Sequence, residues 1–201
     1  MLKKYLFTVL LLFFFVSLIQ AQEDNGMRYI NAKARGLQVS YGYTYYNLSE
    51  WTNVGESGTP YHPILLQAYF HNPLYETKNH FNVSVEFLPQ INLVFFNSNV
   101  EFELGVNVFF DFSFELSKKA ILSFNIGSGP HFITVESTKQ AKGYLFSDNF
   151  ILAYKRKFSN DIELSIHSGY RHMSNASIKS PNNGIDNILV GVGFSKLITK
   201  R

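Results

Sequence analysis

The chain has 201 residues, of which 46% are hydrophobic and 16% aromatic, with 20 Phe and 12 Tyr against a single Trp. That length suits one domain with a sizeable core, and a formal charge of +3 without any basic tract excludes a nucleic-acid partner. There is no cysteine, which excludes disulfides, thiol nucleophiles and cysteine metal sites; the six histidines (62, 71, 80, 131, 167, 172) lack ligand-like spacing, so neither a metal nor another cofactor is expected.

Residues 1–21 read as a secretory signal peptide. Lys3 and Lys4 form a basic start, Tyr5 to Ile19 an apolar run, and Ile19-Gln20-Ala21 a cleavage point. The run is shorter than the ~20 residues of a membrane-spanning helix, which argues against a retained anchor. Cleavage after Ala21 leaves residues 22–201 as one domain. Taking Lys3 and Lys4 from the 18 basic residues leaves 16 against 15 acidic, close to neutral. Four of the Phe lie in the leader, and the other sixteen need a place in the domain.

Period-two alternation supplies it. Leu37, Val39, Tyr41, Tyr43 and Tyr45 alternate with Gln38, Ser40, Gly42 and Thr44. A second run sets Ile64, Leu66, Ala68 and Phe70 against Leu65, Gln67, Tyr69 and His71, and a third sets Phe81, Val83, Val85 and Phe87 against Asn82, Ser84 and Glu86, continuing past Pro89 to Phe96. The fourth, EFELGVNVFFDFSFE at 101–115, is the longest: every even position from Phe102 to Phe114 is apolar, while the odd ones are mostly Glu, Gly, Asn, Asp and Ser. Leu122, Phe124 and Ile126 mark a fifth strand. Tyr144, Phe146, Phe150, Leu152 and Tyr154 mark a sixth, interrupted by Asp148. Ile162, Leu164 and Ile166 begin the seventh, and Ile188, Val190, Val192 and Phe194 form the eighth. Side chains of a strand alternate between two faces, so each run is a strand with one apolar face, and no helical periodicity follows the leader.

Eight long strands joined by alternately short and longer connections, the short one at 97–99 excepted, describe an all-β, eight-stranded antiparallel transmembrane β-barrel. A soluble eight-stranded barrel with its apolar parity turned inward would show the same alternation. The aromatic richness and the strand length favour the membrane version. In that version the short turns and both termini face the periplasm, and odd strands run outward. The seventh strand, from Asp161 to Met173, rises to the outer surface, the 175–185 loop is external, and the eighth strand descends from Asp186.

The stretch GYRHMSNASIKSPNNGID at 169–186 falls at that turn. His172 and Ser174 share parity with Ile162, Leu164 and Ile166; Asp186 shares parity with Ile188, Val190 and Val192. A hairpin centred on residue 179 sets 172 opposite 186, and directly opposed residues share a face. A hydroxyl, an imidazole and a carboxylate therefore gather on the lipid-facing side, where polar groups are costly. They are the parts of an acyl-transfer triad, with Ser174 as nucleophile, His172 as base and Asp186 orienting the imidazole; amides of Asn175, Asn182 and Asn183 are available for an oxyanion. The plainer alternative is an ordinary polar loop, with His172 at the membrane interface like Tyr170 and Asp186 merely starting a strand.

The motif His172-Met173-Ser174-Asn175-Ala176, then Pro181-Asn182-Asn183-Gly184, then Asp186, resembles the pattern of the PagL-like lipid A 3-O-deacylases, a family also called acyloxyacyl hydrolases. EFLPQ at 86–90, ELGVN at 103–107 and KGYLFSD at 142–148 extend the likeness more loosely. The resemblance implies an eight-stranded barrel in the outer membrane of a Gram-negative bacterium. It implies a serine esterase that removes the ester-linked 3-O acyl chain from the lipid A of lipopolysaccharide, with surrounding outer-membrane lipid as its medium. It assigns Ser174 as nucleophile, His172 as base, Asp186 as orienting acid, and Asn182 with the Ser177 backbone N–H as oxyanion hole. The family's acid is often Glu, one methylene longer than Asp186, and its residue at the Ser177 position is often Gly. Other esterase specificities, acyloxyacyl or phospholipid, and a non-catalytic structural barrel are the alternatives.

Overall fold

Strand closure is what lets a β-chain cross a membrane, because lipid offers no hydrogen bonds to an open sheet edge. The computed structural model describes residues 32–44, 61–76, 80–137, 140–158 and 161–198. The expected signal peptide and most of the connection after the first strand lie outside these residues. Eight strands follow one another: β1 (Lys33–Thr44), β2 (His62–Glu76), β3 (Phe81–Phe96), β4 (Asn99–Ser117), β5 (Ala120–Ile133), β6 (Gly143–Lys157), β7 (Ile162–Ser174) and β8 (Ile185–Ile198). Each pairs antiparallel with its neighbour, and β8 pairs back onto β1 to close the barrel. The closing ladder runs from Lys33↔Ile198 to Thr44↔Asn187.

Parity decides which side meets which medium, and here the barrel is inside out. Leu37 is 67% exposed, Ile91 57% and Val190 61%, and Phe102, Phe110 and Phe124 point outward with them. The interior instead holds Glu86, Glu103, Asp111, Lys155, Arg171, His71 and His131, all buried. A soluble barrel would reverse these faces, so the structure decides between the two versions that alternation alone left open.

The buried charges gather into two networks. In the first, Lys155 Nζ donates to Glu86 Oε1 at 2.7 Å and Asp111 Oδ2 at 2.8 Å, while Tyr69 (2.7 Å) and Asn125 (2.8 Å) also donate to Glu86. Among the described residues, His71, Glu86 and Asp111 are the one group whose ligand atoms could converge on a metal ion, but the Lys155 ammonium already lies against both carboxylates. In the second network Glu103 receives Arg171, Asn92 (2.8 Å) and Tyr61 (2.7 Å), and His131 Nδ1 lies 2.6 Å away. Side chains fill the lumen. The interior cavities lined by Glu86 and Lys155, and by His71 and Asp111, measure about 30 Å³ and 10 Å³, too small for a channel.

Connections follow the expected alternation except at Asn97-Ser98, the exception the sequence already marks. Lys118-Lys119 turns β4 into β5 at one end, and Asn97-Ser98 turns β3 into β4 at the other. Both Asn97 (φ 45°) and Ser98 (φ 66°) adopt the left-handed backbone that a two-residue type I′ hairpin needs. The longer connections, 134–142 and 175–184, lie at the Asn97 end.

Replacing Lys155 with Met should destabilise the barrel by about 3–5 kcal/mol, because it leaves two buried carboxylates without their cation. Urea unfolding of the refolded barrel in lipid bilayers measures this. Leu152→Ala, on the lipid-facing side, should shift the midpoint far less.

Candidate active site

Cross-strand register assembles the site. His172 is the third residue from the end of β7 and Asp186 the second of β8, and the two are directly opposite, as the hairpin reading expects. Their side chains meet on the outer wall, with His172 Nδ1 2.8 Å from Asp186 Oδ1. Asp186 therefore reaches the imidazole despite its short side chain. With Nδ1–H donating to the carboxylate, Nε2 is left as the lone-pair nitrogen, the tautomer a general base requires.

Ser174 closes β7 on the same outward parity, half-buried and opposite Phe146 of β6. Among the described residues no hydrogen bond joins Ser174 to His172. The structure thus brings the three residues to one edge and forms the imidazole–carboxylate half of the arrangement. Nucleophile–base bonds are often looser before substrate docks.

The loop beyond Ser174 is tightly built. Asn175 to Ile178 form a turn closed by Ile178 N–H donating to Asn175 O at 3.0 Å, with Ala176 (φ 51°) and Ser177 (φ 64°) both left-handed. Glycine adopts this backbone without steric cost, whereas Ser177 carries a Cβ there. The turn does not use the Ser177 N–H. Asn175 N–H donates to Asn182 Oδ1 at 2.8 Å, which fixes the Asn182 amide by its oxygen and leaves its NH₂ to donate elsewhere. Asn175 spends its own amide on Lys179 O at 2.6 Å. The loop is fastened sideways by Ala141 N–H to Pro181 O (2.9 Å) and Gly184 N–H to Gln140 Oε1 (3.1 Å). Gly184 itself lies against the catalytic candidate: a Cβ there would stand 2.6 Å from His172 Cε1, and its φ is +81°. Only glycine leaves room for the imidazole.

Inside the wall, Arg171 anchors the same strand end. Its guanidinium bonds Glu103 and its Nε donates to Ser147 Oγ at 3.0 Å, so the residue between Tyr170 and His172 is tied to the barrel interior. Outside, Tyr170 donates its hydroxyl to Asp186 Oδ1, the oxygen that also faces His172.

Residues beyond the motif extend the site. Asp148, which interrupts the apolar face of β6, pairs with His172 across β6 and β7, and accepts from Ser128 Oγ at 2.6 Å. Asp186, His172, Asp148, Ser128 and Val108 are consecutive partners across five strands. Beside them runs an apolar row of Ile188, Tyr170, Phe150, Ile126 and Phe110. All of these residues but Ile188 line a groove of about 720 Å³ on the outer wall. Measured along each strand from its loop end, the polar row starts at the second residue of β8 and reaches the tenth of β4, so the groove descends from the rim toward the middle of the wall. The motif did not reveal Asp148, Ser128 or Tyr170. The signal for Asp148 and Ser128 was a polar side chain on an otherwise apolar, lipid-facing parity; Tyr170 carried none, since tyrosines recur on that face.

The barrel has a counterpart among solved structures. A crystal structure of the outer membrane enzyme PagL aligns with a TM-score of 0.54 at 16% identity, covering 81% of this chain and 99% of that one. The outer membrane protein Ail of Yersinia pestis aligns at a TM-score of 0.34 and 10% identity, covering 82% of this chain and 99% of that one. No curated protein matches the sequence. The decisive match is to a family profile, that of lipid A 3-O-deacylase (PagL), which takes in residues 19–195 and so carries seven strands, most of β8 and the whole of the His172–Asp186 segment: the chain belongs to the PagL family of lipid A 3-O-deacylases.

Proposed function

We propose that Ser174, His172 and Asp186 form the catalytic triad with which this outer-membrane deacylase hydrolyses the 3-O ester of lipid A. The observation that carries the reading is the His172 Nδ1–Asp186 Oδ1 hydrogen bond of 2.8 Å on the lipid-facing wall, with Ser174 two residues further along the same face. A paired imidazole and carboxylate have no structural task on an apolar wall, where each polar group is costly.

In the proposed reaction Ser174 Oγ attacks the ester carbonyl carbon while His172 Nε2 takes its proton. Asp186 accepts from Nδ1–H throughout and stabilises the imidazolium that forms. The carbonyl oxygen becomes an oxyanion, received by the Asn182 side-chain amide and the Ser177 N–H. Collapse of the tetrahedral intermediate breaks the bond to the sugar oxygen, and His172 returns the proton to that leaving alkoxide. A water, deprotonated by His172, then attacks the acyl-Ser174 carbonyl; Ser174 is regenerated and the fatty acid leaves.

The groove supports this assignment of substrate. With the 175–184 loop at the outer surface, the reacting groups stand near the polar boundary of the bilayer, and the groove runs from them toward its apolar middle. An acyl chain can lie along Phe150, Ile126 and Phe110 while the sugar remains at the rim. A site buried in the lumen would be closed to such a substrate, since the lumen is packed.

Mass spectrometry of lipid A from cells expressing the wild type and Ser174→Ala tests the reading. Loss of one 3-O acyl mass with the wild type alone is expected. Loss of a secondary acyl chain, or of a phospholipid chain, would move the specificity; identical spectra from two folded barrels would sink the triad. Asn182→Ala should lower kcat by about 10²–10³-fold, as loss of one oxyanion donor does elsewhere. Gly184→Ala should lower it as well, by driving a methyl group into the His172 ring, with little effect on the barrel's heat-modifiable mobility on gels.

A further inference from the structure

We infer that Tyr170 is a positioning residue of this reaction, its hydroxyl holding the Asp186 carboxylate in the orientation that orders His172. The inference rests on the triad proposed above.

Tyr170 lies two residues before His172 on the same outward face of β7, opposite Ile188 rather than Asp186. Its hydroxyl reaches diagonally across the strand pair to Asp186 Oδ1, within reach for a long aromatic side chain. His172 Nδ1 approaches the same oxygen at 2.8 Å. Two donors from one strand thus converge on one carboxylate oxygen of the next.

That convergence matters because the carboxylate is otherwise loosely determined. The terminal torsion of Asp is broad and two-fold. Asp186 is only the second residue of β8, beside the loop. A single bond to an imidazole sets a distance but leaves the plane of the carboxylate free to turn. The phenolic hydroxyl supplies the second fixed point. It also gives the carboxylate a hydrogen bond that water would provide at a wetter site, which matters on a wall facing lipid. Arg171, directly between the two donors, is tied to Glu103 on the inner side, so both donors project from an anchored stretch of strand. The Tyr170 ring also lines the groove beside Phe150; phenylalanine preserves that packing and removes only the hydroxyl.

The test uses the full-length protein in vesicles containing lipid A. Tyr170→Phe should lower kcat by about tenfold or more, the expected consequence of losing one hydrogen bond to a charged group, with KM unchanged. In an Asp186→Ala background the same substitution should cost nothing further, because the hydroxyl acts only through that carboxylate. The low-field proton resonance of His172 Nδ1–H should shift in Tyr170→Phe and stay in place in Phe150→Leu. Wild-type kcat in Tyr170→Phe overturns the inference, as does an equal loss in both backgrounds or an unmoved resonance. If Ser174→Ala retains activity, the triad falls and the role of Tyr170 falls with it. If Ser174→Ala is inactive while Tyr170→Phe matches the wild type, only the inference about Tyr170 fails.

Discussion

Everything in this molecule depends on the β1–β8 ladder that closes the sheet. Without it, two strands would offer unpaired N–H and C=O groups to hydrocarbon, each costing several kcal/mol. Closure fixes two faces of opposite character, and the rest follows from that partition. Residues of the outward parity need only be apolar, and the chain spends its Phe, Leu and Val there. Residues of the inward parity are crowded and buried, so Glu86 and Asp111 pair with Lys155, and Glu103 with Arg171. Apolar clusters, Leu65, Leu88, Phe109 and Ile151 among them in one and Val94, Ile133, Leu145 and Met173 in the other, pack beside these networks.

The active-site candidate is an exception to that partition, placed where the exception costs least. His172, Asp148 and Asp186 break the apolar parity, but on β6, β7 and β8 they do so as direct cross-strand neighbours, and His172 and Asp186 stand beside the loop end. Polar groups facing lipid are less costly near the interface than at mid-bilayer. Hydrogen bonding reduces the cost further, since Asp186 faces both Tyr170 and His172, and Asp148 accepts from Ser128. Rigidity comes from the opposite side of the wall, where Arg171 locks to Glu103, and from the loop, where the Asn175–Asn182 and Gly184–Gln140 bonds fix the approach.

Alternation made the strands legible. The even-numbered apolar series from Phe102 to Phe114 lies within β4, and the pairing of His172 with Asp186 follows from counting around residue 179. Which face met lipid was not legible from parity, because exchanging inside for outside leaves a period-two pattern unchanged. The buried networks were also out of reach. Arg171 and Glu103 are 68 positions apart, and their meeting depends on the curvature of the closed barrel rather than on any local pattern. Asp148 could be seen as an interruption but not as a neighbour of His172, since that requires the β6–β7 register. Ser177 was legible as a residue where relatives often carry Gly, and its left-handed backbone gives the physical reason.

On the proposed reading the descending groove has a kinetic meaning. A site on the outer wall, unlike one at the mouth of a pore, is supplied by molecules sliding within a single leaflet. The concentration that governs its rate is then the fraction of that leaflet occupied by substrate, not an amount per volume of water. Inert lipid or detergent slows such an enzyme by surface dilution, even when total substrate is constant. The deacylated lipid leaves by the same two-dimensional route, so accumulating product competes for the wall at the density at which it is made.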